Sequence, residues 1–230
     1  LSRHPGIHAG GELRFMGLIS HALGDFTRES IVHHVLRMRL REPGLDPWAD
    51  LGQRYLALGD ERFGAGARFT DKLLTNHLRI AVILRALPGA RMIRCRRDPL
   101  DIAWSCWRAH FDPESAWNSS PEAIARHIAA YERLLDAWAA RFPGLFVEAR
   151  YEDLVRDPST EIPRLLAGCG LPDHAATREP QQSDRSVLTS SFAQVRRPIH
   201  AGQVGASRRF PLATRALRAA LEAEGLDVGG

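Results

Sequence analysis

Lysine is nearly absent from this sequence, and the one that remains stands where chemistry is conceivable. Of 31 basic residues, every one but Lys72 is an arginine. Arginine keeps its charge and binds bidentately, whereas lysine is a compact point donor on a flexible stem. Lys72 follows Asp71 just after a short predicted strand at 68–70, and ligands of open parallel sheets gather beyond the carboxyl ends of strands. On spacing alone, the plainer reading is a surface lysine beside an aspartate. The turn Arg96-Arg97-Asp98-Pro99 is a second place. Asp98 suits an N-cap and Pro99 a first helical position, so a strand at 90–95 would run into an exposed helix N-terminus. Free N–H groups and the positive dipole end make an anion site there, to which Arg97 adds a bidentate phosphate ligand. Ser105 lies four residues past Asp101 and looks back along one helix face to the same pocket. A surface charge at Arg97 and a tolerated helix residue at Ser105 are the bland alternative. Glu12 is the third place, after Gly10 and Gly11 and before Arg14. A glutamate in a first helical turn is stabilising by itself. As chemistry, it is a general base beside a backbone that the glycines let approach closely.

These residues need a frame, and hydrophobic periodicity supplies one. Helical stretches are expected from Leu13, Met16, Leu18 and Ile19, from 30–40, and from Asp46-Pro47 through Leu56. The strand at 68–70 is followed by a helix at 76–87, the strand at 90–95 and a helix from Pro99 to about 111. Ile124, His127, Ile128, Tyr131, Leu134, Leu135 and Trp138 mark a long amphipathic helix. A strand at 145–149, a helix at 161–166, an irregular polar stretch from about 172 to 209 and a terminal helix at 212–223 complete the chain. Strand, helix and strand have the lengths of a βαβ unit, which implies a parallel sheet. The expectation is one α/β domain over 1–230, with a central parallel sheet flanked by helices.

Composition narrows the function. The chain has 230 residues, 44% hydrophobic and 25% charged, an ordinary globular balance. No apolar run approaches the ~20 residues that span a bilayer, and the first 13 residues are no signal peptide. Three cysteines and no H-E-x-x-H pattern argue against a disulfide scaffold or a metal site and fit a reducing, cytoplasmic compartment. The net charge of +4 and pI near 9.4, without a basic block, suit an anionic small ligand; no nucleic acid or membrane partner is expected. A small-molecule kinase would need a G-x-x-x-x-G-K-[ST] loop, which the sequence lacks.

Taken in order, the motifs resemble the sulfotransferases that use 3′-phosphoadenosine-5′-phosphosulfate (PAPS), nearest to the bacterial tetratricopeptide-associated and protein-tyrosine branch. Ser2-Arg3-His4-Pro5 through Gly10-Gly11-Glu12-Leu13 looks like S-H-P-x-V-x-x-x-G-E-L, and Asp71-Lys72-Leu73-Leu74-Thr75-Asn76 is similar to D-K-x-P-x-N. Arg97-Asp98-Pro99 through Ser105 matches the 3′-phosphate motif. Tyr151-Glu152-Asp153-Leu154-Val155 with Asp157-Pro158 matches Y-E-D-L-V-x-D-P. Thr189 to Ile199 looks like T-x-S-x-x-Q-V-R-x-P-I. The resemblance spans 1–210, leaving 211–230 as a C-terminal helix. It implies a P-loop-NTPase-like sulfotransferase fold and sulfuryl transfer to a hydroxyl acceptor without a metal. Glu12 would be the base and Lys72 would stabilise the leaving phosphate, with Arg14 orienting substrate. Arg97 and Ser105 would hold the 3′-phosphate, Tyr151 would touch the nucleotide, and Ser191, Gln194 and Arg197 would belong to a loop folding over it. The family's P-R-S-G-T-T phosphate loop precedes its S-H-P stretch, so that loop and its strand are expected to be missing from a chain that starts at Leu1. Gly205-Ala206-Ser207-Arg208 stands in place of G-R-W-R, with Arg208 or Arg209 as substitutes. A non-catalytic relative that binds a nucleotide or a partner is the alternative. The acceptor pocket is expected from 15–66 and 111–121, where Phe26, Trp48, Tyr55 and Trp117 line a pocket or fill the core. Oligomeric state is not legible.

Overall fold

Four helices in the computed structural model, which describes residues 1, 3–19, 28–109, 116–182 and 198–229, start on the same two-residue device. An Asp or Ser caps the helix and a proline follows, at 46–47, 98–99, 120–121 and 157–158. In each, the capping side chain accepts from a backbone N–H of the first turn, where proline's missing donor and fixed φ cost nothing. The sequence announced two of these starts; the structure adds the other two.

The chain forms two compact units, Leu1–Ala90 and Arg91–Gly230. In the first, β1 (His8–Ala9) pairs in parallel with β2 (Phe69–Thr70), with His8 opposite Phe69. Around them are α1 (Phe15–Ile19), α2 (Arg28–Arg41), α3 (Pro47–Phe63) and α4 (Ile80–Ala86). Met16, Leu51, Tyr55, Val82 and Ala86 form its core, with Phe15, Ile19, Trp48 and Phe69 packed around them. The helix expected at 76–87 is split: Leu74–Arg79 is a tight 3-10 segment and α4 starts only at Ile80. The segment has no side-chain cap at Leu73, and uncapped helix ends commonly tighten in this way.

In the second unit, β3 (Met92–Arg96) pairs in parallel with β4 (Phe146–Arg150), in register from Met92 opposite Phe146 to Arg96 opposite Arg150. The crossover between them contains α5 (Pro99–Arg108) and α6 (Pro121–Arg141). Then follow α7 (Tyr151–Arg156), α8 (Pro158–Gly168) and α9 (Pro211–Ala223). Leu100, Ala103, Ile124, Ala125, Ile128, Leu217 and Leu221 unite α5, α6 and α9 in one core. The expected parallel pairing is thus present, as one two-stranded ladder in each unit among the described residues. The strand expected at 90–95 is present as β3, but what it buries is a charge. Its buried residue is Arg94, 3% exposed. The Arg94 guanidinium donates to Glu132 and, at 2.7 Å, to Asp136 on α6. A buried guanidinium is tolerated where paired carboxylates replace its hydration, so this pair ties strand to helix by charge rather than by apolar contact.

Candidate functional site

In the first unit the fold brings Glu12 and Lys72 together. Lys72 Nζ donates to Glu12 Oε1, joining residues 60 apart in sequence. The backbone explains how. Gly10 N–H donates to the Thr70 carbonyl at 3.0 Å, and a Cβ on Gly10 would stand 2.2 Å from that oxygen. Only glycine permits this approach. Gly11 follows at φ 73, a left-handed conformation that glycine adopts without strain, and its carbonyl accepts from Lys72 N–H at 2.6 Å. Asp71 locks both loops: Oδ1 accepts from Leu13 N–H at 3.3 Å and Leu73 N–H at 3.1 Å, and Oδ2 from the Tyr55 hydroxyl at 2.9 Å. Burial, together with the Asp71 carboxylate, pushes the Tyr55 phenol well above its usual range, so it stays a donor to Asp71. The two side chains of the pair remain accessible, Lys72 60% and Glu12 41% exposed. An ion pair so open to water is worth only ~0.2–1 kcal/mol, so both groups are free to exchange partners. Arg14 is exposed and lines a cleft of about 320 Å³ with Gly17, Leu18, Leu73, Thr75 and Arg79.

In the second unit Arg97 leaves the end of β3. Its Nη2 donates to the Gln203 carbonyl at 2.7 Å and lies 3.6 Å from Asp101 Oδ2. The guanidinium sits 4.8 Å over the ring of Tyr151, the first residue of α7. Two motifs 54 residues apart are therefore in contact here, and Glu152 seals the contact by accepting from Asp98 N–H at 2.8 Å. Asp101 is 1% exposed. Its Oδ2 accepts from Gly205 N–H at 2.7 Å, and its Oδ1 from Ser207 N–H at 2.9 Å and the Ser207 hydroxyl at 2.7 Å. Burial works to raise the Asp101 pKa, but these donors and the Arg97 charge outweigh it, and the carboxyl titrates below its ordinary value. Asp101 thereby pins the segment that supplies the Gln203 carbonyl to Arg97. Arg208 Nη2 lies 3.9 Å from Asp98 Oδ2, whereas Arg209 donates to the Gly202 carbonyl.

The expected free N–H groups at the start of α5 are mostly taken. Pro99 has none, Asp98 N–H goes to Glu152, and Asp101 N–H goes to the Asp98 cap at 2.8 Å. The polar group that remains beside this turn is the Arg97 guanidinium. Ser105 is exposed on α5, and no hydrogen bond joins it to Arg97. Ser191, Gln194 and Arg197 lie outside the described residues, as does Phe26. Tyr55 is core, 6% exposed, and Trp48 packs against that core beneath Arg85. Trp117 stacks on His127 at 4.4 Å and lines an open cleft with Ala123 and Arg126. Asp71, Asp101, Glu152 and Ser207 all fall within motifs read from the sequence, but nothing local marked them as the residues that pin these loops. Asp101 and Ser207 are 106 residues apart, and only the fold joins them. Among the described residues no cluster of His, Cys, Asp or Glu is placed to hold a metal, and no helix is long and apolar enough to cross a membrane.

A sequence model of the Sulfotransferase family matches residues 1–175. The chain belongs to the sulfotransferase family. It is similar to an uncharacterized protein of Aquifex aeolicus (strain VF5), 30% identical over 146 residues, 62% of this chain and 19% of that protein. It is also similar to the omega-hydroxy-beta-dihydromenaquinone-9 sulfotransferase of Mycobacterium bovis, 28% identical over 107 residues, 43% of this chain and 28% of that one. The matches thus span about a fifth and somewhat over a quarter of these curated relatives' lengths. In fold, this chain resembles the sulfotransferase domain of the Synechococcus PCC 7002 olefin synthase, with a TM-score of 0.64 at 18% identity over 99% of this chain and 88% of that one. It resembles equally the sulfotransferase domain from the curacin biosynthetic pathway, with a TM-score of 0.64 at 14% identity over 99% and 92% of the two chains. The α/β sulfotransferase fold therefore extends through the terminal helix, beyond the motifs.

Proposed function

We propose that this chain transfers a sulfuryl group from PAPS to a hydroxyl acceptor, working as one domain in the cytoplasm. The observation that carries the reading is the Glu12–Lys72 pair, an exposed base and the chain's sole lysine joined on a scaffold of Gly10, Gly11 and Asp71. Glu12 takes the acceptor's hydroxyl proton as that oxygen forms its bond to sulfur. The bond from sulfur to the 5′-phosphate oxygen breaks, and Lys72 stabilises the charge that the electron pair brings to the leaving phosphate. Fixed charges are what such a transfer asks of a protein. Separation of the Glu12–Lys72 pair frees both groups for these tasks.

Arg97 fits the 3′-phosphate. Its Nε is buried without a partner among the described residues, beside a guanidinium already oriented by Tyr151 and Gln203. Ser105, Tyr151 and the loop bearing Ser191, Gln194 and Arg197 complete the nucleotide contacts in this reading, and Arg14 orients the acceptor. A curated relative's name records an omega-hydroxy compound, which supports a hydroxyl as the accepting group. Transfer from radiolabelled PAPS to a panel of hydroxyl acceptors tests the reading. Glu12→Gln is expected to lower turnover by ~10²–10⁴, and Lys72→Ala by ~10²–10³. Wild-type turnover in Glu12→Gln contradicts the assigned base. A folded chain that transfers to no hydroxyl is the non-catalytic relative.

A further inference from the structure

The cleft at Arg14 says something about the acceptor, given sulfuryl transfer at Glu12 and Lys72. Its two walls begin within two residues of that pair: Arg14 follows Glu12, and Leu73 follows Lys72. The Leu73 wall continues through Thr75 to Arg79, and the Arg14 wall through Gly17 to Leu18, whose side chain is 66% exposed. Arg79 is oriented, its Nη1 donating to the Thr75 hydroxyl at 2.7 Å and the Thr75 carbonyl at 3.2 Å. Arg14 makes no ion pair among the described residues, and no carboxylate lines the cleft. A pocket whose described lining holds two guanidiniums, two leucines and no carboxylate selects an anion carried on an apolar body. Its about 320 Å³ is at the small end of ligand pockets, ~300–1,000 Å³, so it takes one end of a molecule whose other end reaches the base.

We propose that the acceptor is an amphipathic alcohol bearing a carboxylate or phosphate, which Arg14 and Arg79 hold while Leu18 and Leu73 cover the apolar carbons between that anion and the hydroxyl. Glycine at position 17 leaves the floor open, since a Cβ there would meet nothing within 4 Å; a bulky side chain would fill the same space.

Three probes of equal chain length test this by calorimetry on the 230-residue chain: 8-hydroxyoctanoate, 8-hydroxyoctyl phosphate and 1,8-octanediol. At least one of the two anions is expected to bind about tenfold or more tightly than the diol, the scale of a charge-assisted contact. The tighter anion names the source of the charge. Arg14→Ala and Arg79→Ala should each erase most of that preference and leave the diol unchanged, and Arg79→Lys should restore part of it. Arg37→Ala on α2 alters net charge equally and should change nothing. Equal binding of diol and anions, absence of binding by all three, or a preference that survives both alanine variants overturns the proposal. Transfer from radiolabelled PAPS and its loss in Glu12→Gln are separate measurements, so failure of the sulfuryl-transfer reading shows there and failure of the acceptor class shows here.

Discussion

Asp101 illustrates how a buried carboxylate orients the arginine proposed to hold the nucleotide. Its carboxylate gathers Gly205 and Ser207, and the segment so held presents the Gln203 carbonyl to Arg97. Asp101→Asn keeps the shape but turns an acceptor into a donor facing donors. Urea unfolding should show a loss of about 1–3 kcal/mol, the cost of a buried polar group left unsatisfied. Since the folded-state pKa lies below the reference of 3.8, the stability that Asp101 confers is complete at neutral pH. It is lost as pH falls below about 4, and the Asn variant should show a flatter stability profile there. Ser207→Ala removes one donor of three and should fall between the two. Little of this was legible beforehand. Lys72 drew notice because composition isolated it, and Glu12 because two glycines preceded it. Asp101 read only as a helix residue, because its partners lie 104 and 106 residues away.

The elements were legible wherever their physics is local. The Asp-Pro starts of α3 and α5 and the apolar spacing of α6 follow from capping and periodicity, which a sequence displays directly. β1 escaped notice: a strand of two residues carries no alternation, and it exists only because Gly10 lets its backbone meet Thr70. Gly10→Ala should therefore cost about 1–3 kcal/mol as overpacking against a fixed carbonyl. At ~2–4 °C per kcal/mol for a chain of this size, that is a melting shift of several degrees. Ser120→Ala, which uncaps α6, should cost about 0.5–2 kcal/mol and leave nucleotide affinity intact. α7 was missed for another reason. Tyr151–Arg156 starts directly after the last residue of β4, with no side-chain cap to announce it, and it places Tyr151 beneath Arg97 by tertiary contact alone.

For the whole molecule, an arginine-rich surface and a net charge of +4 fit a protein whose ligands are anions. Affinity for the bisphosphate should weaken as ionic strength rises, because part of the attraction is long-range and screened. The central claim is the proposal that this chain holds the nucleotide through Arg97, and titration with adenosine 3′,5′-bisphosphate by calorimetry tests it most directly. The wild-type chain should bind saturably, and Arg97→Ala should weaken binding about 10- to 100-fold, the worth of a charge-assisted pair of hydrogen bonds. Undiminished affinity in that variant, or no binding by a demonstrably folded wild-type chain, would contradict the account.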